Sequence, residues 1–148
     1  QKVNLTGHVF NAKFLTTLDL SGAIFDGLCL EGCSFIFTNL KNASFKNCDL
    51  YWASFNEVNL ENVNFEGAKL NGCDFKLATL SNANLAHADF SKDNLNGASA
   101  FQGANLGGAA IEGANFSGAE YDSATIFPQG FSPQAHGMVY IDESPRRI

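Results

Sequence analysis

A large apolar residue stands at every fifth position between Ser34 and Phe75. The series is unbroken and contains only Phe and Leu: Phe35, Leu40, Phe45, Leu50, Phe55, Leu60, Phe65, Leu70 and Phe75. A period of five matches neither the turn of an α-helix nor the two-residue alternation of a β-strand. The chain must therefore fold into a shape in which every fifth side chain points inward.

The residues between these centres repeat as well. Two residues before most centres the side chain is small, as at Ala43 and Cys48, and the residue between is polar, as at Asn59 and Asp74. Gly or Asn is frequent two residues after a centre, where a turn is expected because these residues adopt turn conformations that others resist. A fixed short repeat of this kind indicates a solenoid.

In blocks of five, the chain reads AxF, AxL and CxF with polar separators from about residue 3 to residue 127. This resembles the pentapeptide-repeat family, whose pattern is A(D/N)LXX, and above all its members from oxygenic photosynthetic bacteria. The resemblance implies an all-β fold, a right-handed quadrilateral parallel β-helix in which four pentapeptides make one square coil. We expect a solenoid of about six coils, stacked about 4.8 Å apart.

In a square coil, residues ten apart face each other and residues twenty apart are stacked. The expected core has two opposed phenylalanine columns and two leucine columns at right angles to them: Phe25, Phe35, Phe45, Phe55, Phe65 and Phe75, with Leu40, Leu50, Leu60 and Leu70. Little room remains beside such columns, so the preceding position must be small. Cys33, Cys48 and Cys73 occupy that position and are expected to be buried packing thiols, whereas Cys29 points outward.

Departures from the repeat occur in the first coil and near residue 95. His8 and Lys13 replace small residues, so we expect the first coil to be irregular or open to solvent. The centres stay on multiples of five as far as Leu95 and resume at Phe101, which predicts one inserted residue within residues 96–100 and a bulge there. Asp93 is expected to accept hydrogen bonds from backbone N–H groups, with a binding role as the alternative.

The centres after the slip are predicted to run to Ile126. This gives a repeat domain over residues 1–127 and a C-terminal cap and tail over residues 128–148. The cap resembles the C-terminal extension of several photosynthetic members of the family.

One helical turn is predicted in the cap, with Ser132 as N-cap, Pro133 at the first helical position and Gly137 as terminator. Three apolar side chains are expected to cover the last coil: Phe127, Phe131 and Met138.

Catalytic and metal-binding patterns are absent from the sequence. The cysteines have no CxxC spacing and no nearby His, and the glycines follow the five-residue beat rather than a phosphate-binding motif. We therefore expect no enzyme activity, cofactor or metal. A net charge of −6 over 148 residues disfavours nucleic-acid binding, and no apolar run approaches the roughly 20 residues that span a bilayer.

Several outward or corner positions are apolar where the repeat favours polar residues. Grouped apolar side chains on a surface indicate an interaction site. The candidate protein-binding patch has four residues on the wall that carries Phe35, Phe55 and Phe75, namely Phe14, Ile36, Phe37 and Leu77, and two on the adjoining wall and corner, Tyr51 and Trp52. The alternatives are scattered surface residues, or residues covered by a neighbouring loop.

Two functions are compared. The first is a non-catalytic binding or structural module with an unidentified protein partner, in which a homodimer through an end of the column is a further option. The second is implied by the resemblance, since some family members imitate B-form DNA and bind a type II topoisomerase such as gyrase. A mimic needs a continuous acidic surface, and here Lys69 shares a wall with Asp49 and Asp89.

The first residue is Gln1 rather than Met, from which we expect a processed or trimmed chain. Together with the resemblance, this favours export to a periplasm or thylakoid lumen, with the cytoplasm as the alternative.

Overall fold

The computed structural model describes residues 3–6 and 18–142 of the chain. Parallel β-bridges join residues 20 apart on successive coils, as from Asp19 to Asn39, to Asn59 and to Thr79. Three further columns of bridges follow the same rule, one for each remaining side of the coil. The predicted right-handed quadrilateral β-helix is confirmed.

Each side of a coil contributes one residue to a column of isolated parallel β-bridges, and tight turns form the corners. The N–H of Ala43 donates to the carbonyl of Leu40 at 3.0 Å, and Asn42 between them has a φ of 63°. A positive φ at this position is that of a type II turn, which favours Gly and Asn. Between coils, Phe45 N–H donates to the carbonyl of Asn64 at 2.7 Å. Backbone hydrogen bonds therefore close each corner and also join the coils.

Aromatic rings fill two opposite sides of the interior. Phe25, Phe45 and Phe65 stack with ring centroids 4.5 and 5.2 Å apart, and Phe35 stacks on Phe55 at 5.0 Å. Across the interior, Phe45 meets Phe55 edge to face at 5.9 Å, an arrangement that the ring quadrupole favours. The ten core residues expected from the sequence have no exposed surface: Phe25, Phe35, Phe45, Phe55, Phe65, Phe75, Leu40, Leu50, Leu60 and Leu70.

The small position beside each centre also holds hydrogen-bond donors. Its thiol or hydroxyl donates to the carbonyl of a centre on the preceding coil. Among the described residues these bonds include Cys48 to Phe25 at 3.0 Å, Cys73 to Leu50 at 2.9 Å, Ser99 to Leu70 at 2.7 Å and Thr125 to Phe101 at 2.9 Å. Small polar side chains can therefore replace Ala there without leaving a buried donor unpaired.

The interruption after Phe90 is larger than the one inserted residue predicted. Asp74 pairs with Ala100, 26 residues on instead of 20, so six residues are added to this coil. Leu95, expected to be an inward centre, is 79 % exposed. The five-residue frame would bury the carboxylate of Asp93 at the small position, which is costly. Ser99 takes that position instead, because its hydroxyl finds a carbonyl partner.

The last predicted centre is also corrected. Ile126 is 54 % exposed and pairs with Asn105, 21 residues earlier, so one more residue has been added. Thr125 fills the small position, because its hydroxyl donates to the carbonyl of Phe101. Phe127 packs against the core in place of Ile126.

The regular elements of the described chain lie at its C-terminal end. Strand β1, Glu120–Tyr121, pairs in parallel with strand β2, Val139–Tyr140, and a 3₁₀ helix spans Gln134–His136. No helix within the described residues is long and apolar enough to cross a membrane.

The helical turn of the cap begins one residue later than predicted, since Pro133 rather than Ser132 precedes it. Gly137 ends the turn with a φ of 75°, and Ser132 Oγ accepts a hydrogen bond from Ala135 N–H at 3.4 Å. Met138 is buried and belongs to the apolar core. Strand β2, which the sequence analysis did not predict, adds a further rung to one wall.

Some expectations fall outside the part of the chain that the structure describes. These concern His8 and Lys13 in the first coil, Phe14 of the candidate patch, and residues 143–148 of the tail.

Candidate protein-binding surface

From Gly22 to His87, and again from Gly103 to Gly118, the third position of each corner turn has a positive φ, whatever residue occupies it. At one corner this residue is Asn in three successive coils, with φ of 63° at Asn42 and 58° at Asn62 and Asn82. We call these three residues the Asn corner. Asn tolerates the left-handed conformation better than residues with larger side chains. The residues of the Asn corner therefore suit their backbone.

Another corner holds residues that suit this conformation poorly. Five described residues other than Gly and Asn have a positive φ: Phe37, Trp52, Glu57, Leu77 and His87. Phe37, Glu57 and Leu77 are 20 residues apart and occupy one column, which we call the Phe37 corner. A Cβ atom costs roughly 1–2 kcal/mol per residue in this conformation, a cost that Gly avoids and that Asn offsets in part by local hydrogen bonding. The Phe37 corner thus concentrates strain that Gly or Asn would relieve.

The Phe37 corner is open to solvent. Phe37 is 70 % exposed and Leu77 is 58 % exposed, about 10 Å apart along the column at the usual spacing of strands. Glu57 lies between them, and its carboxylate has no hydrogen bond or ion pair within the described residues. Ile36, which precedes Phe37, is half-buried. The surface therefore combines two exposed apolar side chains with an unpaired negative charge.

Trp52 stands at a different corner, where the inserted residues hold it. Its indole N–H donates to Asp93 Oδ2 at 2.6 Å, and its ring meets Tyr51 edge to face at 5.6 Å. The ring also covers Gly72, where an added Cβ would lie 2.8 Å from Trp52 Cδ1. A structural role therefore accounts for Trp52, although the side chain is 41 % exposed.

Asp93 anchors the inserted loop through backbone and side-chain donors. The N–H groups of Gly97 and Leu95 donate to its Oδ1 at 2.6 and 2.8 Å. These bonds, that of Gly97 foremost, and the indole of Trp52 stabilise the carboxylate and lower the pKa of Asp93 below its usual value. The expectation that Asp93 would accept backbone N–H bonds is confirmed, although it lies on the loop and not at an inward position.

The structure places the described residues of the candidate patch at two neighbouring corners. Ile36, Phe37 and Leu77 share one corner region, whereas Tyr51 and Trp52 lie at the next corner. Glu57 was missed because a charged residue on an outer surface is unremarkable by composition. Its position two residues after the centre Phe55, where Gly or Asn is usual, is the signal that would have identified it.

Nucleophilic chemistry is disfavoured at the inward thiols. Burial raises the pKa of Cys48 to about 12 and also raises the pKa of Cys73. Cysteine reacts as the thiolate, so these groups are poor nucleophiles at neutral pH.

One group in the described chain offers three metal-ligand atoms within 4.8 Å of one another: Cys29, Glu31 and Asp49. The spacing of Cys and His in the sequence does not indicate this group, because its ligands come from two coils. Cys29 and Glu31 are exposed, and Asp49 Oδ1 already accepts the N–H of Tyr51. The group is therefore open to solvent, and one of its carboxylates already accepts a hydrogen bond.

Positive charges interrupt the acidic surface. On one wall, Lys69 lies between Asp49 and Asp89, since backbone β-bridges join it to both. Two ion pairs lie on other parts of the surface: Lys41 Nζ to Glu61 at 3.3 Å and Lys46 Nζ to Glu66 at 3.7 Å. The surface therefore has no unbroken acidic stripe along these columns.

Comparison with family models matches two parts of the chain. A model described as pentapeptide repeat region covers residues 2–85, and a second, described as pentapeptide repeats (8 copies), covers residues 99–120. Comparison with curated protein sequences finds no significant match.

Solved structures similar to the chain are also pentapeptide-repeat proteins. One, from the Arabidopsis thaliana thylakoid lumen, is 31 % identical with a TM-score of 0.51, over 72 % of this chain and 67 % of that one. A second, from Nostoc, is 28 % identical with a TM-score of 0.49, over 83 % and 84 %. Trypsin-treated QnrB1, a plasmid-mediated fluoroquinolone resistance protein, is 24 % identical with a TM-score of 0.51, over 96 % and 83 %. From its repeats, its coil geometry, the family model that covers residues 2–85 and the likeness to the Arabidopsis protein, the chain belongs to the pentapeptide-repeat family.

Proposed function

We propose that the chain is a non-catalytic module that binds another protein through the Phe37 corner. The observation that carries the proposal is the presence of three unfavourable side chains in one column of left-handed turns. Strained backbone that stability does not require is concentrated at functional sites in proteins. The raised pKa values of the inward thiols further support a role without chemistry of its own.

The composition of the corner suits a protein partner. Phe37 can enter an apolar pocket on a facing surface, and aromatic side chains are frequent among the residues that dominate binding energy. Leu77 adds a second apolar contact on the same line. The column is rigid, because every coil is hydrogen-bonded to the next, so little conformational freedom is lost on binding.

The Phe37→Asn, Leu77→Asn double variant tests this function without endangering the fold. Asn suits a positive φ and already occupies the equivalent position of the Asn corner. His87→Asn is the matched control, because it relieves the same backbone conformation at a different corner. The measurement is quantitative affinity capture from native lysate, followed by the dissociation constant of each captured protein.

We expect the double variant to weaken a captured partner by at least about tenfold, equivalent to about 1.4 kcal/mol. The His87→Asn control should bind as the wild type does. Equal affinities of wild type and double variant for every captured protein would contradict the proposal.

Imitation of DNA towards gyrase is the second candidate and has less support. The likeness to QnrB1 concerns the fold, and Lys69, Lys41 and Lys46 interrupt the acidic surface that a mimic requires. A gyrase supercoiling assay distinguishes the two functions. Dose-dependent inhibition by the wild type would favour DNA imitation.

Location and assembly are further proposals. The Arabidopsis relative comes from the thylakoid lumen, which supports a lumenal or periplasmic location over the cytoplasmic alternative. Association of two chains through a column end would appear as a doubled mass in sedimentation equilibrium.

A further inference from the structure

A cleft of about 250 Å³ adjoins the Phe37 corner. It lies beside the part of the corner column that follows Phe37 in sequence. Its lining includes Glu57, Lys76, Leu77, Gln102, Gly103 and Asp122. Gly103 follows Leu77 in the column, and the Leu77 side chain leans over it, since an added Cβ there would lie 2.6 Å from Leu77 Cδ2. The cleft therefore has an apolar wall beside polar groups.

Gln102 gives the cleft an unused hydrogen-bond acceptor. The residue is only 3 % exposed, and its Nε2 donates to Glu120 Oε2 at 3.1 Å. Its Oε1 is buried and accepts no hydrogen bond within the described residues. Buried acceptors without a donor are rare in native proteins because they lose water without replacement. A donor entering the cleft would satisfy this atom once the Gln102 side chain turns its amide oxygen towards the cleft.

Two carboxylates add negative charge to the same lining. Asp122 Oδ1 accepts hydrogen bonds from the N–H groups of Gly103 and Ala124, both at 3.0 Å, and from Thr125 Oγ1 at 3.1 Å. These bonds hold the carboxylate in place, and its Oδ2 has no partner in the described part of the chain. The carboxylate of Glu57 is likewise unpaired. Lys76 supplies one positive charge, so the lining has a net charge of −1.

We propose that this cleft receives an arginine side chain of the bound protein, an inference that rests on the proposed function. The guanidinium is a planar donor group with five N–H bonds and no acceptor, so it can serve an amide oxygen and carboxylates together. Its aliphatic stem would lie against Leu77 while the head reaches Gln102 and Glu57. The partner would thus present an arginine next to the apolar group that meets Phe37.

The test titrates the full chain with N-acetyl-arginine N-methylamide and monitors it by NMR. The matched probe is N-acetyl-citrulline N-methylamide, which has nearly the same shape but no charge. We expect the arginine probe to shift the side-chain amide of Gln102 and the backbone amides of Gly103 and Ala124. The citrulline probe should bind at least about tenfold more weakly, as should the arginine probe to Glu57→Gln. Glu112→Gln, an exposed carboxylate outside the cleft, is the control and should bind the arginine probe as the wild type does.

Equal binding of the two probes, equal effects of Glu57→Gln and Glu112→Gln, or no shift at these amides would each overturn the arginine site. The outcome is separable from that of the proposed function, because the titration needs no protein partner. Capture that depends on Phe37 without arginine binding refutes the cleft alone. Arginine binding without dependence on Phe37 refutes the proposed function alone.

Discussion

The Asn corner and the Phe37 corner are made by the same turn in the same coils, yet their side chains are opposite in character. At Asn62 and at Glu57 the φ angles are 58° and 61°, so the two backbones are nearly identical. The Asn corner is occupied by a residue that suits this angle. The Phe37 corner is occupied by residues that do not, and two of the three are apolar and exposed. Two corners that do the same structural work with different residues separate what the fold needs from what it tolerates.

The comparison requires that the buried side chains next to the two corners stabilise the fold to a similar extent. Substitution of these side chains should have the largest effects on the free energy of unfolding. Phe55 lies two residues before Glu57, and Leu60 lies two residues before Asn62. The side chains of Phe55 and Leu60 are fully buried. Phe55→Ala should lower the free energy of unfolding by about 3–5 kcal/mol and Leu60→Ala by about 2–5 kcal/mol, through lost burial and the cavity left behind. Denaturant titration measures both, and a loss near zero at either residue would break the comparison.

Exchange of corner residues gives an intermediate effect. Asn62→Phe should lower the free energy of unfolding by up to roughly 1–2 kcal/mol, because Phe lacks the polar side chain by which Asn offsets the cost of Cβ at a left-handed residue. Phe37→Asn should change it by a similar amount in the opposite direction. Thermal or denaturant unfolding measures both variants. If Phe37→Asn proves destabilising instead, Phe37 contributes to the fold and the strain argument for a binding surface is lost.

The smallest effect is expected at Trp52, at the corner next to the Phe37 corner. Loss of its hydrogen bond to Asp93 should leave the free energy of unfolding almost unchanged. The chain has a single Trp, so its fluorescence reports on this contact alone. The pKa of Asp93 is lowered in the folded protein, so the contact is fully stabilising above the unfolded pKa of about 3.9 and is lost as the pH falls through the folded value.

We therefore expect the emission of Trp52 to change below about pH 4. The change should be absent in Asp93→Asn and retained in Asp19→Asn, whose carboxylate also has a lowered pKa but makes its hydrogen bond to Ser21 instead. A transition that persists unchanged in Asp93→Asn would show that Asp93 does not hold the loop on Trp52.

The five-residue period was enough to predict a solenoid, and the family resemblance supplied the four-sided coil that places Phe45 over Phe65 with a centroid distance of 5.2 Å. The inserted loop was not predictable in size from the period. Leu95 kept the five-residue beat, and only the poor fit of Asp93 at an inward position argued against it. A residue with the right spacing can lie in a loop outside the coil, as Leu95 does, so spacing alone does not identify an inward centre.

The candidate site was predicted in part. The outward position of Phe37 follows from the period, but the bond between Trp52 and Asp93 joins residues 41 apart through a loop whose path the repeat does not determine. Gln102 also looked ordinary in sequence, and its unsatisfied oxygen emerges only from the packing around it.

The six added residues leave the ladder on either side intact, since Asp74 pairs with Ala100 as neighbouring coils do elsewhere. Phe75 still stacks on Phe101 at 5.1 Å. The scaffold therefore accepts foreign sequence at this side without losing register. The same place offers engineers a graft point, where a chosen peptide could be displayed from a rigid rod.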